Sequence, residues 1–349
     1  MSNLFNEAKV LQDNGLFKES IPVLEKFISS FPDNASGHFR LGIAHRRCSD
    51  QDMALRMFTR ASKLAPRNIR YLSFIFITLS KLQRYDEACK VAYKACKLIN
   101  WGQPEENGYR FYKECVFPER AKELREWVAP FVGKADVCFG EIGCFEGLST
   151  CWWLDNVLTH PTSSLVCFDP LFQQNYWHNI KASGSQDKVT ANEIESQLGL
   201  PGLQPDSLSL LYIDGLHIAW AVLFDFLMSL PAVKTGGLFI FDDYDHADQS
   251  GVGQTVKQGV DFIMSILPPA AIKVEHSISP VIFRKISSDI EPGFLNKILT
   301  FFDKVYAIDI APCAGMKYQE IMKYCHNEVV KAPLVRWDSQ VLNEIGTRG

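Results

Sequence analysis

The apolar pattern of the chain changes character near residue 135. Before that point, apolar and small positions recur at helical spacing in three tandem rows of 34 residues. Ala8 aligns with Gly42 and Phe76, Leu11 with His45 and Leu79, Ser20 with Ala54 and Ala88, Leu24 with Phe58 and Ala92, Phe27 with Ala61 and Ala95, and Pro32 with Pro66 and Asn100. Small residues fall where helices cross, and proline falls where a helix must end. The pattern predicts paired antiparallel helices over residues 1–100. Residues 101–134 shift towards Pro, Gly and aromatics and then show a helical stretch around 118–128, a linker and lead-in helix. Within it, Tyr109, Arg110, Phe111 and Tyr112 are candidates for a lid, set against plain packing.

From Ala135 onwards, short apolar runs alternate with helical stretches, the pattern of a parallel sheet wrapped by helices. The runs predict strands at 136–142, 165–168, 188–191, 208–213, 238–241, 272–275 and 281–284. The expected organisation is a helical repeat unit over 1–100, a linker over 101–134, an α/β catalytic unit over 135–286 and a helical extension over 287–349. Val252, Val256 and Val260 lie in register on a predicted helix at 251–263 and read as core. The tail, punctuated by Pro292 and Pro312, is expected to complete a substrate wall or to pack on the repeats.

In open parallel sheets the ligand crevice lies at the carboxyl ends of the strands, so the turns there carry the candidate chemistry. The first turn reads EIGCFEGLST, residues 141–150. Gly143 and Gly147 permit a tight turn and close approach of a ligand, and Ser149 and Thr150 open the following helix. A dinucleotide loop places a second glycine where this turn has bulky Phe145, which disfavours a pyrophosphate ligand. Glu141, directly before the first glycine, suits a positively charged ligand without phosphate, such as a sulfonium with an amino-acid tail. Asp169 ends the second strand, where a carboxylate can accept both hydroxyls of a ribose; capping a helix is its competing role.

The fourth strand ends in YIDGLH, with Asp214 and His217, and the fifth in FDDYDH, with Asp242, Asp243 and His246. Carboxylates converging from adjacent strand ends repel one another, and a divalent cation relieves that repulsion. An all-oxygen set of Asp214, Asp242 and Asp243 points to magnesium or a similar ion rather than zinc. Against a metal stands the reading that Asp242 and Asp243 solvate a strand end while His217 is satisfied at a helix start.

Composition narrows the classes. The chain has 349 residues, an apolar share of 47% and a formal net charge of −4. Residues 1–100 hold 16 Lys and Arg against 9 Asp and Glu, a balance of +7, and the remainder carries −11. The total argues against a nucleic-acid or membrane binder; the basic front suits an acidic partner or a solvated helical surface. The start, MSNLFNEAKV, lacks the regions of a signal peptide, and the longest strongly apolar run, near 71–79, is short of a membrane span, so a cytoplasmic protein is expected. Ten cysteines without a C-x-x-C pair read as reduced thiols, with Cys144 either a packed residue or a redox-sensitive thiol.

Two resemblances follow from these residues. The N-terminal rows resemble tetratricopeptide repeats, which carry small residues at their eighth, twentieth and twenty-seventh places and proline at the thirty-second; the aromatic usual at the fourth place is replaced by Leu4, His38 and Leu72. This implies a concave groove for a protein or peptide partner. The strings at 141–150, 212–217 and 236–244 resemble class I S-adenosylmethionine-dependent methyltransferases, in particular the small-molecule and sugar O-methyltransferases, over about residues 135–285. That resemblance implies a Rossmann-like domain with a mostly parallel seven-stranded sheet, S-adenosylmethionine as cofactor, and a small-molecule or glycan hydroxyl as acceptor.

Within that resemblance Glu141, Gly143, Cys144, Phe145, Gly147 and Ser149 belong to the cofactor turn. Asp169 would take the ribose, and Asp214 with Asp242 and Asp243 would hold a magnesium-type ion. Catechol-type relatives carry a lysine base three places after the first aspartate. Here His217 stands there, so His217 or His246 is the expected proton acceptor. Two other readings stay open: methylation of nitrogen or of a protein side chain with the repeats holding the substrate, and a repeat scaffold whose methyltransferase-like half is idle.

Overall fold

The computed structural model describes residues 3–101, 104–113, 117–245, 254–289 and 292–331, together with 338, 341 and 345. They fall into two compact units, the first of which takes residues 1–129 with 146–157 and 173–184.

Six helices open this first unit: α1 (Asn3–Asp13), α2 (Phe17–Ser30), α3 (Ala35–Arg47), α4 (Gln51–Leu64), α5 (Ile69–Lys81) and α6 (Tyr85–Leu98). Each packs on the next, and the short connections make neighbours antiparallel. The helix starts at Phe17, Gln51 and Tyr85 repeat the 34-residue spacing. Side chains of Asn34 and Asp50 cap α3 and α4, accepting from the backbone N–H of Gly37 at 2.8 Å and Met53 at 3.1 Å. Ala8, Ser20, Ala54, Ala61, Ala88 and Ala95 are all shut from solvent, as positions at helix crossings require.

Gly42 shows the reason for small size most directly, because a Cβ there would stand 2.6 Å from the buried Phe58 ring. Gly42→Ala gains helix propensity but must displace that ring, which packs against Phe39 and Phe74. A net loss of about 1 kcal/mol in thermal or urea unfolding is expected. A stabilised variant would show that the ring yields freely.

The unit is completed by α7 (Phe117–Val128), α8 (Leu148–Asn156) and α9 (Tyr176–Ala182). Of the lid candidates at 109–112, Tyr109 and Phe111 take the alternative of plain packing. Tyr109 and Phe111 are fully buried, and the Tyr109 hydroxyl and Trp101 Nε1 both donate to Asp155 Oδ2, at 2.8 and 2.9 Å. Burying two aromatic side chains contributes several kcal/mol, far more than a mobile flap forgoes when it opens.

The second unit takes residues 130–145, 158–172 and 185 onwards. Its elements are β1 (Cys138–Ile142), β2 (Ser164–Phe168), β3 (Val189–Asn192), α10 (Ser196–Gly199), β4 (Leu208–Ile213), α11 (Ala219–Ser229), β5 (Val233–Phe241), α12 (Val256–Ile266), β6 (Ile272–His276), β7 (Val281–Lys285), α13 (Pro292–Tyr306) and α14 (Tyr318–Lys331). They form one seven-stranded sheet in the order β3-β2-β1-β4-β5-β7-β6. The pairs from β3 to β5 are parallel, and β7 runs antiparallel to both β5 and β6. The sheet is thus mostly parallel and Rossmann-like, with the strand order reversing at β1 and β4, which is where such sheets open a crevice.

Every residue of β4 is buried, as expected of a central strand covered on both faces. Val256 and Val260 are core, as their register predicts; Val252 lies outside the described residues. The tail does something the sequence did not indicate: α14 packs on α11, and rings of the tail stack on neighbouring helices, Phe302 on Phe224 and Phe301 on Phe262. Its described part closes the core. Among the described residues no helix is long and apolar enough to cross a membrane.

Candidate active site

The turn after β1 is bent by three residues with positive φ, Gly143 at 81°, Phe145 at 49° and Gly147 at 81°. Gly143 is dictated by a close approach: a Cβ there would lie 2.0 Å from the Asp214 carbonyl oxygen. Only glycine lets β1 and β4 end side by side at this point. Phe145 holds a conformation that costs a non-glycine residue about 1–3 kcal/mol, so neighbouring groups must fix it.

Asp169 is one such group. Its Oδ2 accepts from the backbone N–H of Cys144 at 3.0 Å and of Phe145 at 3.1 Å, and its Oδ1 accepts from Leu171 N–H at 2.9 Å. Asp169, anticipated from the sequence as a ribose acceptor, braces the turn and keeps lone-pair capacity on Oδ1.

Glu141 and Cys144 sit deeper than the sequence suggests. The Glu141 carboxylate is 0% exposed, with Cys167 Sγ 3.9 Å from its Oε2, so it lies beneath the turn rather than in an open crevice. Cys144 is also buried, and burial together with Cys167 pushes its thiol well above the ordinary range, which removes the redox-sensor reading. Gly147 caps the start of α8, and Ser149 is buried in the first turn of that helix.

At the ends of β4 and β5 one oxygen of Asp214, one oxygen of Asp243 and a nitrogen of His217 come together within 4.8 Å of one another. His217 Nε2 is 3.3 Å from Asp214 Oδ1 and 3.5 Å from Asp243 Oδ2. Burial, followed by the charge of Asp242, raises the Asp214 pKa to about 8, although the hydrogen bond from His217 pulls the other way. Burial opposes the charged form of His217, yet Asp214 and Asp243 outweigh it and raise its pKa.

Asp242, expected beside Asp214 and Asp243 as a third metal ligand, lies close enough for its charge to act on Asp214 but is not in this 4.8 Å cluster. Its Oδ2 accepts from the Tyr212 hydroxyl and its Oδ1 from the Asp243 N–H at 2.8 Å. The converging set is Asp214, His217 and Asp243. His246 lies outside the described residues.

Two apolar side chains not anticipated from the sequence stand at the same edge of the sheet. Leu171, just past Asp169, is 63% exposed, and Ile194, just past β3, is 39% exposed. They leave apolar surface exposed next to the ends of β2 and β3. Each follows a short polar or proline-containing turn beyond its strand, Asp169–Pro170 and Glu193.

Residues 141–244 match the family model of a methyltransferase domain. That span runs from Glu141 through Tyr244 and takes in every described candidate at the site. An uncharacterized protein, R132, of Acanthamoeba polyphaga mimivirus is 27% identical over 168 residues, 46% of this chain and 70% of that protein. Among solved structures, a putative O-methyltransferase from Klebsiella pneumoniae is similar over 53% of this chain and 87% of its own, with 18% identity and a TM-score of 0.39. A putative rRNA-methylase from Clostridium thermocellum is similar over 48% of this chain and 96% of its own, with 16% identity and a TM-score of 0.41.

Proposed function

We propose that the methyltransferase domain uses S-adenosylmethionine to methylate a hydroxyl of a sugar, glycan or other small molecule, with help from a divalent cation. The observation that carries this reading is the convergence of Asp214, His217 and Asp243 at the strand ends next to the Gly143 turn. Asp169 would hold the cofactor's ribose, Leu171 and Ile194 its adenine, and the turn from Gly143 to Gly147 its methionine end.

Methyl transfer from a sulfonium is an in-line displacement by a nucleophile that must be positioned and deprotonated. His217 Nε2 takes the proton of the acceptor hydroxyl, and the carboxylates of Asp214 and Asp243 stabilise the resulting imidazolium. Carboxylate oxygens from these two residues fit a hard or borderline divalent cation such as Mg2+ or Mn2+. Such an ion would lower the pKa of a bound hydroxyl.

Calorimetry with S-adenosylhomocysteine tests the cofactor reading directly: saturable binding is expected, and none would end it. Titration with Mn2+, read calorimetrically, tests the cation; Asp243→Asn should weaken that binding by about tenfold or more. Undiminished affinity in the variant would remove Asp243 from the ligand set.

The six N-terminal helices support a second component, a tetratricopeptide-type module. A cavity of about 520 Å3 opens on α1, α3 and α5, lined by Phe5, Phe39, Arg40, Arg70 and Tyr71 among others. Arg40 lies over the Phe5 ring and Arg70 over the Phe39 ring. Aromatic floor and guanidinium rim fit an extended polypeptide carrying carboxylates and an apolar side chain. If that polypeptide is itself the methyl acceptor through an amine, turnover should survive EDTA, whereas a cation-assisted hydroxyl acceptor should lose it.

A further inference from the structure

The turn between Gly143 and Gly147 contains one residue that neither the motif nor the chemistry above uses. Glu146 is 2% exposed, yet its carboxylate is fully engaged. Its Oε2 accepts from the backbone N–H of Tyr112 at 2.8 Å and of Lys113 at 2.7 Å, and its Oε1 accepts from Asn175 Nδ2 at 3.1 Å. Its own carbonyl oxygen accepts from Asn179 Nδ2 at 2.7 Å. Asn179 in turn pairs with the linker on both sides of one peptide: its Oδ1 accepts from Arg110 N–H at 2.6 Å and its Nδ2 donates to Arg110 C=O at 3.1 Å. Linker residues 110–113 are therefore laced to Glu146 by backbone groups.

The same linker is held from its other side by the repeat helices. Ser80 Oγ donates to the Tyr112 carbonyl at 2.5 Å, the Tyr112 ring stacks on Tyr85, and the Tyr93 hydroxyl donates to the Tyr109 carbonyl. A buried carboxylate is costly unless its oxygens are satisfied, and here most of that satisfaction comes from the linker. Without the linker amides the buried Glu146 side chain would keep only the Asn175 donor, and its backbone is joined directly to Phe145. Phe145 already holds a strained φ of 49°, and its N–H donates to Asp169.

We propose that Glu146 is a positioning residue for the cofactor turn, acting through the docked linker, so that cofactor affinity depends on the linker staying in place. This rests on the reading that S-adenosylmethionine binds at that turn.

The test uses the full chain with Glu146→Ala, Glu146→Gln and Asn175→Ala. Affinity for S-adenosylhomocysteine is measured by calorimetry, and amide hydrogen exchange is followed at Cys144, Phe145, Tyr112 and Lys113. Glu146→Ala should weaken binding about tenfold or more and speed exchange at Cys144 and Phe145 as well as at the linker amides. Glu146→Gln keeps an acceptor oxygen for the two linker amides and should restore most of the affinity and protection; Asn175→Ala should fall between. Should Glu146→Ala not fold, a wild-type exchange pattern at Cys144 and Phe145 in Asn175→Ala would overturn the proposal. So would release of the linker amides in Glu146→Ala with unchanged exchange at Cys144 and Phe145. If the wild-type chain binds no S-adenosylhomocysteine, the cofactor reading fails, while the exchange pattern still decides whether Glu146 braces the turn.

Discussion

Replacing Gly143 with alanine is expected to weaken S-adenosylhomocysteine binding by about ten- to a hundredfold, because the turn can take the methyl group only by moving backbone. The added methyl group would meet the Asp214 carbonyl oxygen at 2.0 Å and Gly215 Cα at 2.9 Å, and both are backbone atoms that no rotamer change can move. A φ of 81° adds about 1–2 kcal/mol of left-handed strain for alanine. Relief requires the end of β4 to shift, which displaces Asp214 and the His217 and Asp243 groups gathered on it. The effect therefore reaches both the cofactor and the acceptor side. Gly147→Ala is the control, since its φ is also 81° but the added methyl meets the side-chain edge of Tyr176 at 3.1 Å, which can give by a few tenths of an ångström. Calorimetry should separate the two variants clearly. Equal and near-wild-type affinities would show that the contact between strand ends is not what holds the turn.

The ease with which that contact is read from structure contrasts with what sequence alone conveys. Strands β1 to β4 and β6 and β7 appear within two residues of their expected limits, because each is a short apolar run broken by polar or glycine-rich turns. Strand β5 starts at Val233, five residues before the expected 238, since Lys234, Thr235 and the Gly236–Gly237 pair look like a turn. The ladder nevertheless continues, with Val233 opposite Leu208. Helix starts at 17, 51 and 85 follow the repeat, because helix crossings constrain side-chain size at fixed intervals.

The site divides in the same way. Asp214, His217 and Asp243 were legible as polar residues at strand ends, but that Asp243, at a φ of 52°, joins the cluster and Asp242 does not is nothing a spacing encodes. The partner of Asp242, the Tyr212 hydroxyl, lies on another strand and leaves no local mark. Glu146 was invisible for a different reason. Its partners are backbone N–H groups of Tyr112 and Lys113, and every residue but proline has one, so no motif can name them.

Asp225→Asn is expected to stabilise the protein at neutral and alkaline pH and to leave it unchanged near pH 4. Asp225 lies on α11 at 1% exposure, and its Oδ1 accepts from both Ser196 Oγ and Gln197 Nε2. Burial raises its pKa to about 7, against the pull of those two donors. In the unfolded chain an aspartate titrates near about 3.9. Below that value both states hold the proton, and the group contributes nothing to the pH dependence. Between about pH 4 and pH 7 the unfolded chain releases its proton while the folded chain keeps it, so stability falls as pH rises. Above about pH 7 the folded chain ionises as well, and the loss levels off. Asparagine keeps an acceptor oxygen for Ser196 and Gln197 and cannot ionise, and its N–H replaces the O–H that the protonated acid presents at the same place. The variant should gain roughly 2–4 kcal/mol over the wild type at pH 8, with the difference shrinking through pH 6 and vanishing near pH 4. Urea unfolding at a series of pH values measures this. Parallel stability curves for the two proteins would mean that Asp225 is ionised in the folded state throughout and that its two donors outweigh its burial.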